Sequence, residues 1–191
     1  MDIIFVRHGE SETNAEISKD EDSSLTKKGR EQAKALGNRL KKYNISTIYT
    51  STLKRTKETG EIISKILKVP IKENLEELDE YLTRHLRFGL QSLFNIKVNK
   101  RIKRLRKFLD KISKEREENK NILIIAHGIT NRIIMSHLIG IPFKKQLLRF
   151  SQDNTCVNLL RWKKEYNNWH IKCINDIEHL PINLRYNKSL R

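Results

Sequence analysis

Two apolar runs, far apart in the chain, end in the same way. Asp2-Ile3-Ile4-Phe5-Val6 leads into Arg7-His8-Gly9, and Ile122-Leu123-Ile124-Ile125-Ala126 leads into His127-Gly128. Short continuous apolar runs bounded by polar residues read as strands buried on both faces. Between and after them the pattern alternates. Thr26 caps a helix that runs to about Lys42, with Ala33, Leu36 and Leu40 on its buried side. Ile45–Tyr49 is a second strand, and a helix follows over Thr52–Leu67, capped by Ser51 or Thr52. Pro70-Ile71 opens a short third strand. From Val98 to Lys114 the apolar residues fall at 98, 102, 105, 109 and 112, which is helical spacing. Thr130–Ile139 is a helix closed by Gly140 and Pro142, and a further short helix is expected near Phe143. Thr155–Trp162 and Trp169–Ile174 form a hairpin.

Strands alternating with helices specify an α/β protein. The expected fold is a three-layer α/β/α sandwich whose central sheet is mostly parallel and carries an antiparallel strand from the closing hairpin. In such sheets ligands collect at the carboxyl ends of the strands. Both histidines stand there, and the strand Ile45–Tyr49 delivers Ser51 and a helix with Arg55 in its first turn to the same edge. Arg7, His8, Arg55 and His127 are therefore expected in one crevice. The organisation is read as one domain over residues 1–181, with 79–97 as a lid or insert and 182–191 as a basic tail.

Composition narrows the setting without naming a ligand. The 191 residues suffice for one well-filled core. The longest apolar run, Ile122–Ala126, is far too short for a membrane span, and the N-terminus enters a strand directly with no signal-peptide pattern. Cys156 and Cys173 have neither metal-type nor redox-type spacing and are expected to be reduced. A cytoplasmic protein follows as the expectation. The formal net charge of +16 favours anions of any kind.

The four converging residues suit phosphoryl transfer. The oxygens of a phosphoryl group must be neutralised while a nucleophile stands in line with the leaving oxygen. Arg7 and Arg55 offer forked, permanent positive charge. Flanking arginines keep an imidazole neutral and hence nucleophilic. One ring nitrogen attacks while the other donates to a backbone carbonyl that fixes the tautomer, and Gly9 lets the backbone turn close to the bound group. A carboxylic acid must protonate the leaving alkoxide and later activate water.

Arg7-His8-Gly9-Glu10-Ser11 with Asn14 resembles the signature of the histidine phosphatase superfamily, also called phosphoglycerate mutase-like. Asp22 to Gly29 followed by Gln32-Ala33 is similar to that family's Asp-x-Pro-Leu-Thr-x-x-Gly-x-x-Gln-Ala stretch, with Ser24 in place of proline. Ser51-Thr52-Leu53-Lys54-Arg55-Thr56 resembles its Ser-x-Leu-x-Arg-Ala segment, and Ala126-His127-Gly128 its second histidine. Asn154-Thr155 and the stretch Asn175 to Leu180 resemble the ends of its smaller phosphatases. The resemblance covers about residues 1–180. It implies His8 as the phosphorylated nucleophile, with His127 as a second catalytic residue. It further implies Arg7, Arg55, Asn14 and Gly128 around the phosphate. Leu75-Glu76-Glu77 fits the first part of the family's acid segment and points to Glu77, with Glu76 and Glu80 as alternatives; the Gly-rich continuation is missing.

The resemblance covers phosphatases and mutases alike. A short chain and Thr13, where the mutases carry tryptophan, favour a phosphatase acting on a small phosphorylated metabolite; the alternative is a cofactor-dependent phosphoglycerate mutase. No histidine pair has zinc-site spacing, so neither metal nor cofactor is expected. A second alternative is a non-catalytic nucleic-acid- or anion-binding protein. Lys97–Lys107 holds seven basic residues in eleven, but they form the wet face of an amphipathic helix with no interleaved aromatics. Arg84, His85 and Arg87 in the insert are candidates for a lid that meets a second anionic group. His137 reads as core or surface, and His170 as solvent-facing. The oligomeric state stays open, a homodimer included.

Overall fold

The computed structural model describes residues 1–81, 96–115, 117, 120–141 and 150–185. Its six strands form one sheet: β1 (Asp2–Arg7), β2 (Ile45–Thr50), β3 (Ile71–Asn74), β4 (Asn121–Ala126), β5 (Val157–Lys163) and β6 (Asn168–Asp176), in the order β3-β2-β4-β1-β5-β6. The pairs β1–β4, β2–β4 and β2–β3 are parallel. The closing hairpin runs antiparallel, β5 against β1 and β6 against β5. Among the described residues the α-helices are α1 (Lys27–Leu40), α2 (Lys54–Leu67), α3 (Ile96–Lys114), α4 (Gly128–Leu138) and the short α5 (Ile182–Arg185). The α/β architecture with a mostly parallel sheet is thus the one expected. The helix anticipated near Phe143, most of the 79–97 insert with Arg84, His85 and Arg87, and the tail beyond 185 lie outside the described residues. Among the described residues, no helix is long and apolar enough to cross a membrane.

Period-two alternation places each central strand residue on one of two cores. Ile3 and Phe5 of β1 pack with Ile124 of β4, Leu105 and Leu109 of α3, and Ile133 and Ile134 of α4. Ile4 and Val6 face the other way, towards Leu36 and Leu40 of α1, Ile63 of α2, and Leu123 and Ile125 of β4. This two-sided burial explains why β1 and β4 are apolar at successive positions instead of alternating. The buried stripe of α3, Ile102-Leu105-Leu109-Ile112, leaves Lys100, Lys103, Lys107, Lys111 and Lys114 exposed, as the helical spacing requires.

The start of α1 is built onto the loop that follows β1. Thr26 Oγ1 accepts from Gly29 N at 3.0 Å and donates to Glu10 Oε1 at 2.9 Å, while Glu10 O accepts from Thr26 N at 2.9 Å. Gln32 Oε1 accepts from Glu10 N at 2.8 Å. Here the two main chains interlock. A Cβ on Gly9 would lie 2.5 Å from Gly29 O, and one on Gly29 would lie 2.0 Å from Glu10 O. Gly9 is therefore required by the approach of α1, a reason different from the close approach of a ligand that its sequence context suggests.

The capping of α2 differs from expectation. Its N-cap is Leu53, with no side-chain cap. Ser51 and Thr52 are drawn into tertiary bonds instead: Thr52 N donates to Asp79 Oδ1 at 2.8 Å, and Ser51 Oγ lies 2.8 Å from His127 Nε2. Of the stretch read as a basic tail, Ile182–Arg185 form α5. Gln32 Nε2 of α1 donates to Leu184 O of α5 at 2.8 Å. Arg39 pairs with Asp176, and its Nη1 lies 3.4 Å from His179 Nδ1.

Gly29→Ala is expected to cost about 1–3 kcal/mol, as an overpacked core does, because the obstacle is main chain and cannot rotate away. Gly128→Ala, where a Cβ would meet only Gln152 Cβ at 3.8 Å, is expected to leave stability within about 0.5 kcal/mol. Urea midpoints measure both, and wild-type stability in Gly29→Ala would refute the interlock. A second expectation concerns acid. Burial, with Arg39 adding to it, lowers His179 to about 4, below the roughly 6.5 of an unfolded chain. Between these values the unfolded state binds more protons. The His179 contribution is therefore complete above pH 6.5 and is lost as pH falls towards 4. Thermal melts of His179→Gln should show a shallower fall in midpoint across that window than the wild type.

Candidate active site

At the shared edge of β1, β4 and β2 the chain brings Arg7, His8, Arg55 and His127 together, as the strand ends predict. His8 is 2% exposed and His127 fully buried. Their rings meet edge to face, with centroids 5.0 Å apart. The pairing of β1 with β4 sets this distance, since Arg7 stands opposite Ala126 and His8 N donates to Ala126 O at 3.1 Å.

Hydrogen-bond partners fix both tautomers. His8 Nδ1 lies 2.7 Å from Gly9 O. A carbonyl only accepts, so Nδ1 carries the proton and Nε2 keeps the lone pair. That lone pair accepts from Arg55 Nε at 3.1 Å. His127 is set the other way round. Its Nδ1 accepts from Arg55 Nη2 at 3.2 Å, so Nε2 holds the proton and donates to Ser51 Oγ at 2.8 Å. Arg55 Nη1 donates to Glu21 O at 2.6 Å, which anchors the guanidinium between the two rings. Burial lowers His8 well below the ordinary imidazole range, and Arg55 and Arg7 push the same way. Burial also lowers His127, helped by His8, Arg55, Arg7 and Arg101. Both rings are thus held neutral, His8 with Nε2 as its base.

Arg7 Nη1 donates to Gln152 O at 2.6 Å, while its Nε is buried without a hydrogen-bond partner, a donor suited to an anion. The carbonyl that anchors Arg7 belongs to a residue that is itself fixed: Gln152 and Asn158 exchange side-chain amide bonds at 2.9 Å in both directions. Asn14 lines the cleft, and its Oδ1 accepts from Asn154 Nδ2 at 3.2 Å; Asn154 Nδ2 also reaches His8 O at 3.1 Å. The cleft has a volume of about 440 Å³ and is bordered by Arg7, His8, Asn14 and Arg55, by Thr13 and Lys19 of the loop after β1, and by Glu80. Gly128 opens α4 directly behind His127 and does not border the cleft.

Of Glu76, Glu77 and Glu80, it is Glu80 that borders the cleft, which Glu16 and Glu21 line as well. Residues Glu76–Leu78 form a single 3-10 turn. Glu76 is exposed and pairs with Arg104 at 2.7 Å. Leu78 is fully buried, and Asp79 bonds Thr52 through both N and Oγ1. With those two side chains anchored, the next one along enters the cleft. Glu80 Oε1 accepts from Tyr81 N at 3.1 Å. Burial raises Glu80 above the usual carboxylate range, against the pull of Arg7 and Arg55. The sequence did hold a signal: Leu-x-Glu occurs twice in succession, as Leu75-x-Glu77 and as Leu78-x-Glu80, and only the second follows a residue that anchors to Thr52. Ser51, Gln152 and Asn154 carry no chemical signature of their own and become visible as supports only in three dimensions. His137 is bonded to Asp110 at 2.7 Å and His170 stacks on Tyr166, both outside the site.

A buried pair of neutral imidazoles around a forked arginine, at the carboxyl edge of an α/β sheet, defines a class of phosphoryl-transfer proteins. The family model for the histidine phosphatase superfamily (branch 1) matches residues 3–86 and 97–177, and the chain belongs to that superfamily. Among curated proteins it is 28% identical to the probable phosphoglycerate mutase GpmB of Escherichia coli O1:K1 / APEC and 27% identical to that of Salmonella choleraesuis (strain SC-B67). Each match spans 94% of this chain and 95% of the relative. Among solved structures the fold is similar to YhfR of Bacillus stearothermophilus, with TM-score 0.69 and 24% identity over 93% of this chain and 98% of that one. It is also similar to the phosphoserine phosphatase of Entamoeba histolytica in complex with 3-phosphoglyceric acid, with TM-score 0.74 and 20% identity over 94% and 99%.

Nitrogen-15 imidazole spectra should show His8 as the Nδ1–H tautomer and His127 as the Nε2–H tautomer, both still neutral at about pH 6.5, where a free imidazole is half protonated. Protonation of either ring near pH 6.5 would show that the arginines and burial do not set its charge.

Proposed function

We propose that this protein is a phosphomonoester hydrolase working through a phosphohistidine on His8, with Glu80 as the proton donor and a small phosphorylated metabolite as substrate. One observation carries the reading. A neutral imidazole with its Nε2 lone pair held by Arg55 shares a cleft with a carboxyl group that burial keeps protonatable.

The chemistry follows from these positions. An entering phosphoryl group takes over the Arg55 Nε donor and the unpartnered Arg7 Nε, which releases the His8 lone pair. His8 Nε2 attacks phosphorus, the bond to the leaving oxygen breaks, and Glu80 transfers its proton to that oxygen. The products are the free alcohol, phosphohistidine and the Glu80 carboxylate. The carboxylate then takes a proton from water as the water oxygen attacks phosphorus. The P–N bond breaks, leaving inorganic phosphate, neutral His8 and protonated Glu80. Throughout, the Nδ1–H bond to Gly9 O stabilises the charge that the ring gains. Arg7 and Arg55 supply the donors for the equatorial oxygens, His127 steadies the Arg55 fork through its Nδ1, and this scheme calls for no metal.

Thr13 at the cleft wall supports hydrolysis. The names of the curated relatives favour a second reading, phosphoglycerate mutase. Isomerisation of 3-phosphoglycerate without net phosphate release would select the mutase.

A phosphate-release screen over phosphomonoesters in EDTA tests activity and metal independence together. His8→Ala is expected to lose turnover by at least about 10³-fold, together with the acid-labile phosphoprotein. Glu80→Gln is expected to slow glycerol 3-phosphate by about 10²-fold or more, but p-nitrophenyl phosphate only slightly, because that leaving group needs little protonation. Glu77→Gln should change neither. Retained turnover in His8→Ala, or the selective loss appearing in Glu77→Gln instead, would overturn the assignment.

A further inference from the structure

Glu80 faces a problem that the phosphate pocket itself creates. Its carboxyl lies in the field of Arg7 and Arg55. A carboxylate free to move would close on those cations and occupy the place meant for phosphate. In the structure it instead accepts from the backbone amide of Tyr81, and the segment that carries it is tied down from several elements. Thr52 holds the Asp79 side chain from the β2–α2 connection, and Thr130 Oγ1 of α4 donates to Asp79 O at 2.9 Å.

The remaining restraint comes from α3. Arg101 Nη2 donates to Glu80 O at 2.6 Å, and the guanidinium lies over the Tyr81 ring with its carbon 4.3 Å from the centroid. Tyr81 is only 7% exposed, and its hydroxyl donates to Glu77 O at 2.7 Å. One side chain thus grips the acid's own carbonyl and the ring of the residue whose amide holds the acid's carboxyl. Arg101 Nε is buried without a hydrogen-bond partner. The side chain therefore sits here with a donor unsatisfied, which a surface arginine serving only the outer face of α3 would avoid. The planar guanidinium suits the task, since it stacks and donates at once, whereas an ammonium is a point charge without a flat face.

We infer that Arg101 is a positioning residue, holding Glu80 at the leaving-group side of the cleft and away from the two phosphate-binding arginines. The inference rests on the reading of Glu80 as the proton donor. It goes beyond it by assigning the acid's placement to a helix that contributes nothing else to the cleft wall among the described residues. If Arg101 is removed, the acid is misplaced and also competes for the phosphate seat.

The test compares R101A with the wild type on two esters, with active sites counted from the burst of acid-labile phosphoprotein. R101A is expected to slow glycerol 3-phosphate at least 10-fold per active site, p-nitrophenyl phosphate less than 3-fold, and to weaken inhibition by inorganic phosphate about 5-fold. R101K, which keeps the charge and loses the flat stack, should fall between R101A and the wild type. It also provides the measurement if R101A does not fold. Equal losses on the two esters per counted site, in whichever variant folds, would overturn the inference, since a general structural defect lowers both alike. E80Q in the wild-type background separates the two levels. If E80Q lacks the leaving-group split, the acid assignment fails. If E80Q shows the split and R101A does not, only the positioning role of Arg101 fails.

Discussion

A single guanidinium shared between two imidazoles is the contact on which the rest of the site depends. Arg55 spends one N–H on His8 Nε2, another on His127 Nδ1 and a third on Glu21 O. A cation that donates to both rings forbids either ring from being cationic. It therefore dictates which nitrogen of each carries the proton, and the partners behind the rings match: a carbonyl behind His8 and a hydroxyl behind His127. The pocket is positive where phosphate must sit and neutral where the nucleophile must be. These two requirements conflict in water and are compatible only in a buried, hydrogen-bonded setting.

The sheet order supplies that setting. Placing β4 between β1 and β2 brings three strand ends side by side, so that one loop delivers Arg7 and His8, a second His127, and a third Ser51 and Arg55. The hairpin contributes from the other flank. Thr155 N reaches Arg7 O and His8 O, and Gln152 O anchors Arg7. Antiparallel addition of β5 is what turns the chain back at this edge so that residues 152–155 can brace the loop after β1.

Much of this was legible in the sequence, and for physical reasons. Apolar runs buried on both faces announce central strands, and a charged or nucleophilic residue directly after such a run has nowhere to go but the carboxyl edge. Hence the convergence of Arg7, His8, His127 and Arg55 follows from the sequence pattern alone. The acid could not be placed with the same security. Glu76, Glu77 and Glu80 are chemically alike, and the choice among them depends on a 3-10 turn and on Asp79 turning in to bond Thr52, neither of which follows from hydrophobic periodicity. The cap of α2 departs from the sequence pattern for a related reason: Ser51 and Thr52 are good capping residues, but tertiary partners claim their hydroxyls.

The interlock of Gly9 and Gly29 has a further consequence. A crowded pair of side chains can be relieved by shrinking one when the other grows, which leaves a protein many neighbouring sequences through which to drift. Here the thing in the way at each position is peptide backbone, which every residue type has in common. No change of identity at one position can make room at the other. The two glycines are thus independent fixed points, and the loop that carries His8 can be re-tuned only by moving the helix beneath it.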